Sequence, residues 1–508
     1  MSNTSRTASA QGSGNRRIRV AASVVVALGA CLGYAYAVPA AAGTPATPIP
    51  AKATAISAIT ETCPIVTGTK DADVAAYDPA LPGAAAGEAI VVQQNTTDPL
   101  VDTTKPGTYF YAGSLSGDVT DLDIDSFPLT GRAAGGLAPG YTTDAALESG
   151  NSGTGEYGLA AAACAQPDTG FWFIGAGTET TPVVQLGLVD TDDLTAQVNL
   201  AEYGPNGLMS GAAQDANEGL VVQTHNQASP PGQLIDPANP PGAIALHVIA
   251  TTGRVTAGML AGDGKGGGRD FIQAQTPAST LVIPGIPAPP AGTTMKLQLM
   301  LMATTQDADV TMKWVGNSSF TPSVTVPHLS AGHVQSVDIS AIPSAGENGA
   351  LEIDSTGGTP IIGAIKVTES KGGSSDTAYL TPVPALTGDS VVAMNRAGSS
   401  VILTDENAKP AQVRIATTTQ SGSNAPNTTT QTVTVPGKAT VATALTAPPG
   451  AAQFAITVTP LDGAAQVYAA RVMTGDAPLL TIQPMYSALE SVQIPPVRAD
   501  MSGTVPQN

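Results

Sequence analysis

Positive charge is scarce in this chain: 508 residues carry 21 Lys and Arg against 40 Asp and Glu. Arg6, Arg16, Arg17 and Arg19 are the only charges before Lys52, so the remainder holds 17 basic and 40 acidic residues, about −23. A field of that sign repels nucleic acid and anionic headgroups and argues against nucleic acid as a partner. Aromatics are 4% of the chain with only two tryptophans, which leaves few rings for a glycan-stacking surface. No G-x-S-x-G elbow, S-x-x-K pair or Walker loop occurs, so a local catalytic signature is missing. What the chain has instead is Gly (55), Pro (41) and an apolar fraction of 42% dominated by Ala and Val. That mixture suits short strands and many turns better than long helices.

The N-terminus points to export. Residues 1–19 are polar and basic, and the run 20–38 is apolar and long enough to span a bilayer. Charge ahead of such a run holds that side in the cytoplasm and sends the rest outward. Three outcomes stand open: an uncleaved anchor, a signal peptide cut near Ala37, or a lipoprotein modified at Cys31. All three expect a single crossing with an extracytoplasmic body, either held at the membrane by the N-terminal helix or secreted. Residues 39–55 read as a Pro/Ala/Thr spacer. Two cysteines are left for the body, Cys63 and Cys164. In an exported chain they most simply form one disulfide, with two buried free thiols as the alternative.

The body shows a repeat. Gly253, Gly358 and Gly463 lie 105 residues apart, each between two alternating apolar segments that read as a hairpin (245–260, 350–367, 454–473). Two further motifs recur upstream in the same order. One is FWFIGAG, TLVIPGI and SVVAMNR; the other is VNLAEYG, VTMKWVG and VRIATTT. The fold class expected is therefore all-β: tandem immunoglobulin-like β-sandwich modules after an N-terminal transmembrane segment. The repeats are placed at 170–275, 276–385 and 386–500, preceded by a β-rich region at 56–169 with no recognised repeat. Cys63-Pro64, then Cys164 ahead of Phe171-Trp172-Phe173-Ile174-Gly175, then Tyr203-Gly204-Pro205-Asn206-Gly207, resembles an uncharacterised family of exported, membrane-anchored actinobacterial proteins. The resemblance implies an envelope location and supplies no active-site residue.

Candidate chemistry is thin. Asp121, Asp123 and Asp125 would share one strand face and could bridge Ca²⁺. Yet Ser126 replaces the glycine of a calcium loop, so a solvated strand face is the ordinary reading. Gly262–Gly267 matches a dinucleotide fingerprint but sits between strand-like segments and reads as an inter-strand loop. His225, His247, His328 and His333 lack the spacing of a zinc site. Trp172 and Trp314 read as core aromatics, with sugar stacking as the alternative. Sequons at Asn95, Asn317 and Asn427 mark exposed turns. The expectation is a non-catalytic structural or interaction protein of the cell envelope, without cofactor, whose partner is an envelope protein or a wall polymer. A glycan-acting hydrolase or transferase, or a glycan-binding module, is the alternative.

Overall fold

The computed structural model describes residues 52–494 apart from 64–71, 80–85, 94–100, 106, 113–127, 150–156, 179–181, 210–217, 229–241, 318–319, 343–345, 421–424, 462–465 and 476–477. Asp121, Asp123, Asp125, Cys31, Ala37, Asn95, Gly463 and the apolar run 20–38 fall outside the described residues. No helix among the described residues is long and apolar enough to cross a membrane. Regular structure there is strand, with one 3-10 turn at Thr356–Gly358. The chain divides into Ala55–Val492, which holds the sandwiches, and a second unit, Met1–Thr54 with Gln493–Asn508.

Eight sheets, each with four strand positions, make four sandwiches at 58–163, 170–272, 280–380 and 390–485, here modules 1 to 4. Within each, strands counted in chain order pair 1-6-3-4 in one sheet and 5-2-7-8 in the other. In module 2 two short segments, Gly207–Leu208 and Leu220–Val222, share the fourth position. The region at 56–169 therefore has the same strand order as the three repeats. Its sixth strand, Leu129–Gly135 (LTGRAAG), lacks the apolar alternation that makes the others visible. The modules are two-sheet sandwiches, but strand one lies beside strand six. An immunoglobulin domain instead places its first strand beside its second.

The segments flanking Gly253 and Gly358 are not hairpins. Ile244–Thr252 pairs with strands one and three, whereas Thr256–Asp263 pairs with strands two and eight of the opposite sheet. The chain arches over the core, so Ile244, Leu246 and Val248 face Val255, Ala257 and Met259 inside one cluster. Alternation appears on both arms because both line one interior, not because they pair.

The intervening residues of the inner strands face a neighbouring module. In module 2 Phe171 and Phe173 point inward, while Ile174 and Ala245 meet Met300, Met302, Ile362 and Ala364 of module 3. Module 3 continues into Ile402, Ala470 and Val472 of module 4. Val391 and Ala393 of module 4 meet Ala75, Tyr77 and Ala146 of module 1. Strand one bulges where it docks, between Ile174 and Ala176, Ile283 and Ile286, and Val392 and Asn395. Gly285 shows why: at φ 92°, a Cβ there would lie 2.4 Å from the Ala470 Cβ.

The eighth strands, Gly158–Ala163, Arg269–Ile272, Ser374–Leu380 and Leu480–Met485, touch in a cycle that closes the four modules into a ring. Each is an edge strand, and central burial is one way to protect an edge from pairing with foreign chains.

Candidate functional site

Burying four strand edges strands their outward N–H groups away from water, and each needs an acceptor. Carboxylates from neighbouring modules provide several. Asp376 Oδ2 accepts N–H bonds from Leu159 of module 1 (3.0 Å) and Leu480 of module 4 (2.8 Å), and Oδ1 accepts from Thr377 (2.8 Å). Asp270 Oδ1 accepts from the Ala161 N–H (3.2 Å) and the Thr481 hydroxyl (3.0 Å). Asp144 of module 1 accepts the N–H groups of Ala393 and Met394 at the module 4 bulge, and the Gln483 amide at 2.8 Å. Arg471 donates to Gln483, and its side chain is fully enclosed.

Gly268, at φ 93°, lies so close that a Cβ would stand 2.4 Å from Asp376 Oδ1; only glycine admits that carboxyl. Burial pushes Asp270 well above the usual carboxylate range, moves Asp144 in the same direction and raises Asp376 to about 7, against the pull of their N–H donors. Desolvation lowers Arg471 to about 10. The network is chemistry of assembly: its acceptors are occupied by backbone.

Two recesses lie elsewhere, on the side where the chain crosses between modules. A groove of about 630 Å³ is walled by all three linkers, including Gln166, Asp168, Thr276, Pro382 and Pro384. Beside it a cavity of about 220 Å³ opens between modules 1 and 2, lined by Leu147, Ala162, Met259, Phe271, Ile272 and the Cys63–Cys164 pair. Tyr486 borders both and donates to the Pro382 carbonyl at 3.3 Å. Gln275, nine-tenths buried in the groove wall, accepts from the Gly363 N–H at 3.0 Å.

Cys63 and Cys164 form a disulfide, with Cα atoms 4.3 Å apart and a sequence separation of 101. It ties the first strand of module 1 to the residue just after its last. The chain belongs to DUF5719, a family of unknown function. The family model matches residues 117–446, from within module 1 to just beyond the fifth strand of module 4. None of the curated proteins matches the chain.

The remaining sequence candidates are dispersed. His225 pairs with Asp193 (3.0 Å), and His328 with Asp309 (2.9 Å) and Asp307 (3.3 Å), all exposed. The Asp309 and Asp307 bonds raise His328 above the ordinary imidazole range. His333 bonds the Ala331 carbonyl, and His247 stacks on Trp172 at 3.8 Å. Among the described residues no group of three or more His, Cys, Asp or Glu side chains is arranged to hold a metal ion. Gly262 is the penultimate residue of the strand Thr256–Asp263 and Gly267 lies in the turn to the next, so the glycine run spans a strand end and an inter-strand turn. Trp314 is buried in the module 3 core, out of reach of a sugar, and His247 covers one face of Trp172. Asn317 and Asn427 are exposed.

Asp144, Asp270 and Asp376 are not legible as a site in the sequence. One signal points to them: Asp270 and Asp376 are 106 residues apart, within one residue of the repeat.

Proposed function

We propose that this chain is a non-catalytic structural or interaction protein of the cell envelope, with its ring outside the cytoplasm and the linker-side groove turned to a protein or polymer partner. The carrying observation is the Cys63–Cys164 disulfide. Such bonds form and persist in oxidising compartments, in keeping with the basic, then apolar, N-terminus. The groove supports an interaction role. Its walls offer amide, hydroxyl and proline surface from three linkers held in place by the ring, the usual setting for a binding surface built of loops. The enzyme reading has less support, because Asp270 and Asp376, two buried carboxyls close enough to repel each other, are engaged with backbone N–H groups in the ring centre.

Fractionation combined with thiol alkylation tests the placement. The full chain is expected outside the cytosol with Cys63 and Cys164 protected, and a chain lacking residues 1–42 in the cytosol with both thiols reactive. A full chain found in the cytosol with free thiols contradicts the reading.

A further inference from the structure

The four modules treat their outer fourth strands differently. That of module 1, Val101–Thr103, has three residues, and that of module 2 is broken into segments of two and three. Module 3 has a long one, Phe320–Leu329, but its register slips twice and it contains Pro322 and Pro327, which offer no N–H. Shortness, breaks, bulges and prolines are devices that stop an edge from pairing with another chain. Module 4 uses none of them. Asn427–Val435 (NTTTQTVTV) is nine residues long, free of proline and charge, and pairs with Ala411–Thr419 in unbroken register. Its outward backbone groups meet no strand among the described residues. The other outer edge of module 4, Ala439–Ala444, is partly covered: Thr440 bonds Gly316 (2.9 Å) and Val315 (2.6 Å) of module 3, and Gln431 reaches the Ala444 carbonyl.

We infer that the Asn427–Val435 edge pairs antiparallel with the same strand of a second copy of this chain, joining two sheets across a two-fold axis. The sequence is self-complementary for that arrangement. Centred on Gln431, Thr428 faces Thr434, Thr430 faces Thr432, and Thr429 faces Val433, all pairs that suit a sheet. Thr428, Thr430, Thr432 and Thr434 are exposed on one face, ready to form a threonine ladder. A two-fold contact of this kind closes on itself and ends at a dimer. Charge favours this place over others. The body carries about −23, and copies repel over roughly 8 Å at physiological salt, so a nine-residue uncharged line is where they approach at least cost.

Sedimentation velocity of the full chain is the test. The wild-type chain is expected to show a dimer whose share rises with concentration. Because position 430 opposes 432 of the second copy, Thr430→Lys with Thr432→Lys sets lysine against lysine and abolishes the dimer. The Thr430→Glu, Thr432→Glu variant does the same, and an equimolar mixture of the two restores it. Both positions are exposed in their own module, so at a dilution where the wild-type chain is monomeric the thermal midpoint of each variant matches the wild-type value, which separates lost pairing from lost fold. A wild-type chain that stays monomeric, a lysine variant that still dimerises, or a mixture that fails to recover the dimer overturns the inference.

Discussion

The junction between modules 2 and 3 and the seam between modules 1 and 2 occupy equivalent places in the ring but are built from different residues. At the first, Ile174, Met300, Met302, Ile362 and Ala364 interlock, each essentially inaccessible to solvent. At the second, the outward positions of the module 1 strand are Ala58, Thr60 and Thr62, and the corresponding outward positions on strands two and seven of module 2 include Gln185, Gly187 and Gly258, small or polar residues in place of the large apolar ones of the first junction. Apolar contact there contracts to Leu147 and Ala160 against Leu260 and Phe271, and the cavity opens beside it. The same topology thus gives close-packed contact along strand one where the outward residues are large and apolar, and a recess where they are small or polar. Backbone plan sets where a junction falls; side-chain volume sets whether it seals.

The largest effect is expected at the centre, where both regions meet. Asp376→Ala leaves the Leu159 and Leu480 N–H groups buried without their acceptor and should cost roughly 2–6 kcal/mol, taking about 1–3 for each stranded donor. Denaturant unfolding measures it, and a loss below about 1 kcal/mol on that scale would remove the carboxyl from its clasp role. Next come paired substitutions at the two junctions. Met300→Ala opens a hole in a sealed joint and should cost about 2–5 kcal/mol, whereas Ala162→Leu adds bulk beside existing space and should stay within about 1 kcal/mol of wild type. Equal losses at the two sites would erase the distinction between them.

A smaller, graded effect follows from pH. Asp376 has a folded pKa of about 7 against an ordinary value of 3.8, and burial shifts Asp144, Asp270 and Glu61 in the same direction. A raised carboxyl pKa means the folded state holds its proton more tightly than the unfolded chain. The stability it confers is full below about pH 4 and is lost as pH rises toward 7, at up to about 1.4 kcal/mol per unit for each group. Arg471 stays charged throughout that window. Thermal midpoints should therefore fall as pH rises from about 4 to 7; a flat profile would mean the central carboxyls are ionised at both ends.

Strand content, the 105-residue period and the docking strands FWFIGAG, TLVIPGI and SVVAMNR are readable from sequence because each is a local pattern of apolar residues. The pairing is not. Alternation at Leu246 and Val248 looks the same whether the next strand is a hairpin partner or lies across the core. Module 1 is hidden as a repeat because Ala76, Ala89, Ala133 and Ala145 fill its interior with side chains too small to mark a strand. Asp144, Asp270 and Asp376 read as ordinary polar positions, since their acceptor role exists only once four modules bring their eighth strands together.

Hydrogen exchange on the intact, oxidised chain compares the two regions most directly. Amides of Gly170–Ala176, docked on module 3, should exchange as slowly as the global unfolding reaction allows, and those of Ala58–Cys63 at the seam much faster. Equal protection of the two strands, or slower exchange at the seam, would contradict tighter packing of strand one at the junction of modules 2 and 3 than at the seam.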